Sequence, residues 1–331
     1  MHNLIVTGVA GYIGASFAHK ALSKGYQIYG VDSFINSDEK NIEYLKQEFG
    51  ENFRFLKLDL SKNKELINEL KSIENIDAVV HFAGLKSVPE SEKNPKKYWD
   101  NNVGATKNIL DLMKKKKINK IIFSSSAAVY GENFHQPLDE NACTYPKSVY
   151  AKTKLECEKL IEIFSKKNNS KAIILRYFNP IGSDLSTNIY DHFNSQNPNV
   201  LRMIIKSITE QKKFIIYGNN YDTYDGTGER DYIHIADLVS GHLKSLNAFH
   251  KVKDIEIYNL GTGNGVSIIE IIEKLSSILS VKPNINYEPE RPGEIGNFVA
   301  NTEFLSSKFG KKPQTSIDDG LEQTISWSNK N

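Results

Sequence analysis

Residues 4–14 read LIVTGVAGYIG, and this stretch decides the fold. The apolar run at 4–6 predicts a buried strand, and a helical pattern of apolar residues runs from residue 12 to about 22. Between them, Gly8, Gly11 and Gly14 allow a sharp turn and a close approach of the backbone to a pyrophosphate, which the free N–H groups of a helix N terminus also favour. The stretch therefore indicates a dinucleotide-binding turn.

Asp32 follows the second predicted strand, at residues 28–31. A carboxylate at that place accepts hydrogen bonds from a ribose 2′-hydroxyl and repels a 2′-phosphate. Residues 33–37 contain no Lys or Arg that would pair with such a phosphate. The predicted cofactor is therefore NAD rather than NADP.

Short apolar runs and helical patterns alternate through the first 180 residues. Further strands are predicted at 53–58, 78–82, 120–123 and 172–176, and the longest helices at 95–117 and 146–167. The strands are near-continuous runs rich in β-branched residues, which is typical of strands buried on both faces. This alternation predicts an α/β fold built on a doubly wound parallel sheet.

The alternation breaks after Pro180, where a long polar stretch begins. The elements predicted beyond it are helices at about 199–210, 267–279 and 317–327 and strands at 214–217, 257–260 and near Ile285. We expect residues 1–178 and about 233–262 to form a Rossmann domain that binds the dinucleotide. A smaller C-terminal lobe for the substrate would comprise about 179–232 and 263–331.

Composition excludes several classes of protein. With 42 Lys+Arg against 40 Asp+Glu, the net charge of +2 gives no reason to expect a nucleic-acid partner. An apolar share of 39% rules out wholesale disorder, and the sequence has no run of 18 apolar residues that would predict a membrane span. Two cysteines make no disulfide framework and favour a reducing compartment such as the cytoplasm. The eight His residues lack ligand spacing, so no metal site is expected.

Arginine is scarce in this chain, since 37 of its 42 basic residues are Lys. Lys therefore supplies the generic surface charge, and we expect an Arg where a guanidinium fork is needed. The five arginines are Arg54, Arg176, Arg202, Arg230 and Arg291.

Tyr150 and Lys154 are four residues apart, which places them on one face of the predicted helix. An ammonium near a phenol favours the phenolate, and a lowered phenol pKa suits a Tyr that removes a hydroxyl proton near neutral pH. Ser124, Ser125 and Ser126 end the fifth strand, at the edge of the sheet where such folds bind their ligands. The three residue types together predict a catalytic Ser–Tyr–Lys group beside the dinucleotide.

These motifs resemble the extended short-chain dehydrogenase/reductase superfamily, and within it the UDP-glucose 4-epimerase family. The resemblance covers nearly the whole chain. It rests on TGVAGYIG at 7–14, VVHFAGLKSV at 79–88, the pair Asn101-Asn102, IIFSSSAAVYG at 121–131, YAKTK at 150–154, LRYFNPIG at 175–182, DGTGERDYIH at 225–234 and YNLGTG at 258–263. It implies a seven-stranded nucleotide-binding lobe, bound NAD, a smaller UDP-sugar lobe and a homodimer.

The resemblance also implies the chemistry, a reversible epimerisation at C4 of UDP-glucose or UDP-galactose. Tyr150 would take the proton of the sugar 4-hydroxyl while the C4 hydride passes to NAD. The 4-keto sugar would then rotate about its pyrophosphate linkage, and the hydride would return to its opposite face. Lys154 would lower the pKa of Tyr150, and Ser126 would bridge the sugar 4-oxygen and the phenol.

Binding residues follow from the resemblance by position. For NAD they are Gly8, Gly11, Tyr12, Ile13, Gly14, Asp32, Asn36, Ser37, Asp59, Leu60, Phe82, Ala83, Gly84, Lys86, Asn101, Ser124 and Phe178. For the UDP-sugar they are Lys86, Ser126, Tyr150, Tyr177, Asn179, Asn199, Val200, Tyr217, Arg230, Arg291, Glu294 and Phe298. Arg230 and Arg291 suit a diphosphate, which a bidentate guanidinium recognises well.

Two finer expectations concern specificity and assembly. Phe298, four residues after Glu294, is implied to border the C2 substituent of the sugar and to exclude an N-acetyl group. The helices near 95–117 and 146–167 are implied to pair with their copies across a two-fold axis. The apolar residues that motivate this pairing are Val103, Ile109, Leu110, Leu112, Leu155, Leu160 and Ile161.

Three alternatives stay open at the level of sequence. The first is an epimerase that accepts or prefers N-acetylated UDP-sugars. The second is a nucleotide-sugar dehydratase or decarboxylase, although Ala127 and Ala128 occupy the places where such enzymes carry a proton-transferring carboxylate. The third is a sensor that binds NAD without catalysis, which the retained Tyr150 and Lys154 disfavour.

Overall fold

The computed structural model describes residues 2–62, 67–70, 73–131, 136–189, 199–291, 295–310, 313 and 315–328. Its strands are β1 Asn3–Thr7, β2 Gln27–Asp32, β3 Phe53–Lys57, β4 Ile76–His81, β5 Lys120–Ser126, β6 Lys171–Tyr177, β7 Asn179–Ile181, β8 Lys213–Tyr217, β9 Glu229–His234, β10 Ile255–Leu260, β11 Gly265–Ser267, β12 Asn284–Glu288 and β13 Asn297–Phe298.

Helices connect these strands. They are α1 Tyr12–Leu22, α2 Lys40–Phe49, α3 Val88–Lys93, α4 Pro95–Tyr98, α5 Ala105–Lys116, α6 Val149–Asn168, α7 Val200–Thr209, α8 Ile235–Ala248, α9 Ile268–Leu279, α10 Glu303–Phe309 and α11 Ile317–Ser328. Short 3-10 turns lie at Gly50–Asn52 and Ala127–Tyr130, and a π-helical turn lies at Trp99–Gly104.

A seven-stranded parallel sheet in the order β10-β6-β5-β4-β1-β2-β3 forms the larger lobe. Its central strands β1, β4, β5 and β6 are buried on both faces, as their β-branched runs predict. In β1, for example, Leu4 and Val6 belong to the apolar core that includes α1 and α8, whereas Ile5 belongs to the core that includes α5 and α6. The predicted doubly wound α/β fold is confirmed.

The helix predicted at 95–117 is interrupted by the π-helical turn at Trp99–Gly104. This wider turn carries Asn102 into the interior, where its side chain accepts a hydrogen bond from the Leu85 N–H (2.7 Å) and donates one to the Leu85 carbonyl (3.1 Å). The spacing of apolar residues does not reveal one wide turn, because the helical spacing of apolar residues continues beyond it.

The smaller lobe contains a four-stranded sheet, in which β9 pairs with β7, β11 and β13, and the parallel pair β8–β12. Helices α7, α9 and α11 contribute to its apolar core. Residues 303–309, which belong to the span expected for this lobe, form helix α10 and pack instead against β10 of the large sheet. The Phe304 ring stacks on Tyr258 at 5.1 Å, and Leu305 lies in the core of the larger lobe. Burial of Leu305, which is 3% exposed, explains why the chain crosses back.

Candidate active site

The glycine turn after β1 is held by backbone hydrogen bonds. Gly8 adopts a left-handed φ of +69° and donates its N–H to the Val31 carbonyl (2.9 Å). A Cβ at Gly8 would lie 2.6 Å from the Ala83 nitrogen, and one at Gly14 would overlap the Gly8 carbonyl. Only glycine therefore allows the start of α1 to lie this close to the ends of β2 and β4.

Asp32 joins the end of β2 to this turn. Its carboxylate accepts hydrogen bonds from the N–H groups of Ala10 (3.1 Å) and Phe34 (2.9 Å) and from the Ser37 hydroxyl (3.1 Å). Burial raises the pKa of Asp32, and these hydrogen bonds oppose that rise. The carboxylate lies beside the glycine turn, which is the place expected for an acid that binds the ribose 2′-hydroxyl.

Eight of the 17 predicted NAD residues lie at or just after the carboxyl ends of neighbouring parallel strands. The structure places them at one edge of the sheet, where α/β sheets bind ligands. These residues are Asp32 at the end of β2, Asp59 and Leu60 after β3, Phe82, Ala83 and Gly84 after β4, Ser124 near the end of β5 and Phe178 after β6.

Some predicted NAD residues have other contacts or face solvent. Asn36 and Lys86 are exposed, and the Asn101 amide donates to the Lys97 carbonyl (2.9 Å). Tyr12 donates its hydroxyl to the Gly182 carbonyl, and Ile13 packs against the large-lobe core. Their predicted contacts with NAD stay predictions.

Tyr150 and Ser126 lie close together, and the Ser126 side chain opposes the rise that burial causes in the pKa of the Tyr150 phenol. Tyr150 is 7% exposed and sits in the first turn of α6, which the Ser148 hydroxyl caps by accepting from the Ala151 N–H (3.1 Å). Ser126 ends β5. The predicted base and its hydroxyl partner are therefore brought together by one helix start and one strand end.

Lys154 is buried one helical turn beyond Tyr150. Its Nζ donates to the Ser124 carbonyl (2.8 Å) and lies 4.9 Å from the centre of the Phe123 ring. Burial lowers the pKa of Lys154 to about 8, while the charges of Cys157 and Glu158 oppose this. The predicted Ser–Tyr–Lys group is thus assembled at the carboxyl end of β5.

Burial raises the pKa of Tyr150, and the Ser126 side chain opposes that rise. The Lys154 ammonium donates to the Ser124 carbonyl. The lowering of the Tyr150 pKa by Lys154 stays a prediction.

Tyr177 forms the wall beside Tyr150. It is the register partner of Ser126 across β5 and β6, and burial followed by the charge of Tyr150 raises its pKa well above the usual range. Tyr177 therefore stays a neutral hydroxyl next to the candidate base.

The two arginines predicted for the diphosphate lie on the small-lobe side. The Arg291 guanidinium stands 3.6 Å from the centre of the Tyr217 ring, at the end of β8. Arg230 Nη1 donates to the carbonyls of Glu229 (2.9 Å) and Gly296 (3.2 Å). Tyr217 is itself one of the predicted UDP-sugar residues, and Arg291 lies against one face of its ring.

The other predicted sugar residues differ in their surroundings. Asn199 is exposed, and its side chain caps α7 by accepting from the Arg202 N–H (3.0 Å), while Val200 opens that helix. Asn179 opens β7 opposite Tyr232. Glu294 lies outside the described residues.

Phe298 faces the larger lobe. It lies in β13 opposite Arg230 of β9. The Gly296 carbonyl, two residues before it, accepts from the Glu229 N–H (2.7 Å). The Phe298 ring lies 5.4 Å from the Phe178 ring and packs on the cluster that contains Ala127, next to Ser126. Phe298, the residue predicted to exclude an N-acetyl group, therefore packs on a cluster that includes the residue following Ser126.

Two buried contacts behind the site were not predicted. The Ser124 hydroxyl donates to Nε2 of His242 (2.8 Å), whose Nδ1–H donates to the Leu238 carbonyl (2.9 Å). Burial lowers the pKa of His242 to about 4, so this ring is neutral. The second contact is the ion pair between Glu158 and Arg176. The sequence could have indicated this pair, because Glu158 lies one helical turn beyond Lys154 and Arg176 is one of only five arginines.

Two further properties concern the described part of the chain. Its His, Cys, Asp and Glu residues form no group of three placed to hold a metal ion. None of its helices has the length and apolar character needed to cross a membrane.

Known proteins are similar to this chain over its whole length. The model of the NAD dependent epimerase/dehydratase family matches residues 4–261. The UDP-glucose 4-epimerase of Bacillus subtilis is 32% identical over 330 residues, which cover 99% of this chain and 97% of that protein. The bifunctional protein GAL10 of Pachysolen tannophilus is 34% identical over 340 residues, and this chain spans 49% of its length.

A solved structure has the same fold. The UDP-glucose-4-epimerase of Stenotrophomonas maltophila, crystallised with bound NAD and formylated UDP-arabinopyranose, superposes with a TM-score of 0.93 at 32% identity. The match covers 100% of this chain and 98% of that one.

Proposed function

The chain belongs to the NAD dependent epimerase/dehydratase family, and on this premise we propose that it is a UDP-glucose 4-epimerase, an NAD-dependent isomerase that inverts C4 of a UDP-hexose. The position of Tyr150 beside Ser126 carries the proposal, because it puts a phenol and a hydroxyl at the edge of the sheet where the dinucleotide turn also lies. Full-length similarity to UDP-glucose 4-epimerases supports it.

The residues at the glycine turn fit NAD. Gly11 offers no side chain to cap α1, so the N–H groups of the first helical turn are suited to a pyrophosphate. Asp32 would hold the adenine-side ribose, and Phe82 to Gly84 would line the opposite wall. When bound, NAD supplies a hydride acceptor and donor.

The chain's own groups move the proton and hold the sugar. Tyr150 takes the proton of the 4-hydroxyl, directly or through the Ser126 hydroxyl, as C4 becomes a ketone. Arg230 and Arg291 hold the diphosphate, about which the ketone turns to present its other face. Tyr150 then returns the proton to the 4-oxygen, which completes an inversion at C4.

Elimination chemistry has no proton donor at the expected place. Ala127 and Ala128 form the 3-10 turn after Ser126, and Ala128 donates its N–H to the Ser126 hydroxyl oxygen (3.2 Å). A methyl group cannot transfer a proton, so the dehydratase and decarboxylase alternatives are not favoured.

Turnover tests the proposed function directly. Purified protein should convert UDP-glucose and UDP-galactose, each supplied alone, into the same equilibrium mixture, measured by chromatography. Accumulation of a dehydrated or decarboxylated product would instead assign the chain to a related activity. Retention of NAD with no sugar conversion would make it a sensor.

A retained, NAD-specific cofactor is expected. Because the redox cycle closes on the enzyme, the protein should carry NAD through purification and release it on denaturation. The Asp32 carboxylate should repel a 2′-phosphate. Cofactor-stripped protein should therefore regain turnover with NAD and not with NADP, with an untreated sample as the control. Equal turnover with NADP would show that the interpretation of Asp32 is wrong.

We further propose a homodimer in the cytoplasm, with α5 and α6 at a two-fold interface. Several of the apolar residues that suggested this interface cannot form it. Val103, Ile109, Leu112 and Ile161 lie in the chain's own core, where they cover the sheet. Along these helices, exposed apolar side chains are instead Trp99, in the turn before α5 and 40% exposed, and Ile163, in α6 and 62% exposed.

Light scattering tests the dimer. We expect a particle of twice the 37.4 kDa chain mass at micromolar concentration, since isologous pairing is the commonest arrangement of homo-oligomers. Ile163→Lys should weaken the dimer, whereas Ile278→Lys, at an exposed site on α9 in the smaller lobe, serves as the matched control. A monomer at this concentration would contradict the proposal.

A further inference from the structure

Glu158 and Arg176 form a buried ion pair behind the catalytic group. Both side chains are 5% exposed, and Arg176 Nη2 lies 2.7 Å from Glu158 Oε2. Arg176 Nε also donates to Glu158 Oε1 (3.1 Å), so the guanidinium binds both carboxylate oxygens. Neither residue lies in the predicted binding sites for NAD or the UDP-sugar, so the proposed function leaves the pair without a role.

Glu158 belongs to the face of α6 that carries the chemistry. Tyr150, Lys154 and Glu158 follow one another at intervals of four residues, which stacks them on successive helical turns. Each lies against one serine at the end of β5. Tyr150 is beside the Ser126 side chain, Lys154 donates to the Ser124 carbonyl, and Glu158 accepts from the Ser125 hydroxyl.

Arg176 anchors this face to the sheet from the other side. It lies on β6, the strand next to β5, and its Nη1 donates to the Glu140 carbonyl (3.3 Å). The guanidinium stands 4.8 Å from the centre of the Tyr130 ring, and Tyr130 in turn donates to Asn259 Oδ1 on β10 (2.7 Å). The pair therefore connects α6 with three adjacent strands.

A buried ion pair is poor evidence for stability alone, because desolvation offsets most of the attraction between the charges. A planar fork that grips a carboxylate does restrict orientation. Rotation of α6 about its axis would break the Glu158–Arg176 geometry and would also displace Tyr150 from Ser126.

Resting on the proposed function, we infer that Glu158 and Arg176 are positioning residues for the epimerisation: they set the rotation of α6 and hence the place of the Tyr150 phenol and the Lys154 ammonium relative to Ser126. Glu158 has a second effect through its charge, which favours the protonated form of Lys154.

The groups facing Lys154 make that charge effect measurable. Cys157 and Glu158 face it from α6, and the Ser124 carbonyl faces it from β5. His81 faces it from β4, and burial, followed by the charge of Lys154, lowers the pKa of His81 to about 3, so this ring is neutral.

Glu158 therefore supplies a negative charge that raises the pKa of Lys154 against the effect of burial. Without Glu158 that pKa falls further, so Lys154 loses its proton at a lower pH. The alkaline limb of the pH–rate profile should then move to lower pH.

The test replaces both partners by apolar residues of similar size, Glu158→Leu with Arg176→Met. Removing the pair together leaves no unpaired buried charge, so the thermal midpoint and NAD content should stay close to wild type. We expect kcat to fall by about 10²-fold, the effect of a misplaced catalytic group, with little change in KM for UDP-glucose. The alkaline limb should move to lower pH. The control removes the Lys274–Asp318 pair of α9 and α11 by Lys274→Met with Asp318→Leu, which should leave kcat unchanged.

A second variant separates geometry from charge. Arg176→Lys keeps the positive charge and loses the fork, so kcat should fall while the alkaline limb stays in place, because Glu158 is still present beside Lys154. It also serves if the double variant does not fold. Wild-type kcat and pH profile in a folded double variant, or wild-type kcat in Arg176→Lys, would overturn the inference.

Failure of the proposed function can be told apart from failure of the positioning role, because the wild-type protein itself would then convert no sugar. Crystal structures would then decide the positioning role on their own. Displacement of Tyr150 from Ser126 in the folded double variant would support it, and an unmoved Tyr150 would overturn it.

Discussion

Replacing Tyr150 by Phe is expected to lower kcat by about 10²–10⁴-fold, the range typical of general acid–base groups. The substitution keeps the ring, which is buried at the start of α6, and removes only the phenol oxygen beside Ser126. The Lys154–Ser124 contact does not involve that oxygen, so the protein should still fold and retain NAD.

Epimerisation rates and the NAD released on denaturation would be measured side by side for wild type and Tyr150→Phe. Tyr224→Phe provides the matched control, because Tyr224 is fully exposed in the loop after β8 and its hydroxyl should not affect turnover. A near-normal rate in Tyr150→Phe would move the base elsewhere, and Ser126 would be the next residue to test.

Phe298 is expected to make the protein prefer UDP-glucose and UDP-galactose over their N-acetyl forms. Its ring packs against Phe178 and the Ala127 cluster, which places it at the border of the catalytic group. Fitting an acetamido group into that space would cost about 1–3 kcal/mol by overpacking. A steric difference of this kind gives a preference of about 10–200-fold in kcat/KM.

The Phe298→Ser variant should open this space and bring kcat/KM for the N-acetylated sugars close to that for the plain ones. Phe298→Tyr keeps the ring and should keep the preference. Equal kcat/KM for plain and N-acetylated sugars in the wild-type protein would refute this role of Phe298 and would make this an epimerase of broader specificity.

Local patterns were enough to predict the fold class and the cofactor. The β-branched runs around Val6 and Val80 identified strands buried on both faces, and the parallel sheet contains them in the predicted places. The glycine turn and Asp32 indicated NAD, because a sharp turn and a carboxylate at a strand end need only neighbours in the chain. Tyr150 and Lys154 stood out for the same reason, since their spacing of four residues is a property of one helix.

Contacts between distant segments were decided only by the tertiary structure. Ser124 and His242 are 118 residues apart, and neither belongs to a pattern that points to the other. The packing of Arg291 on Tyr217, the cap formed by Asn199 and the return of α10 to the large sheet depend likewise on how separate elements meet.

The sequence by itself determined that this is an α/β protein with a dinucleotide turn and a Tyr–Lys helix face, because each of these depends on residues within a few positions of one another. The tertiary structure alone decided how that face is oriented. Glu158 and Arg176 lie on different elements, and their hydrogen-bond geometry exists only once α6 has packed on β5 and β6. Burial of both charges in that contact, which no local pattern reports, is the physical reason that the pair constrains the helix.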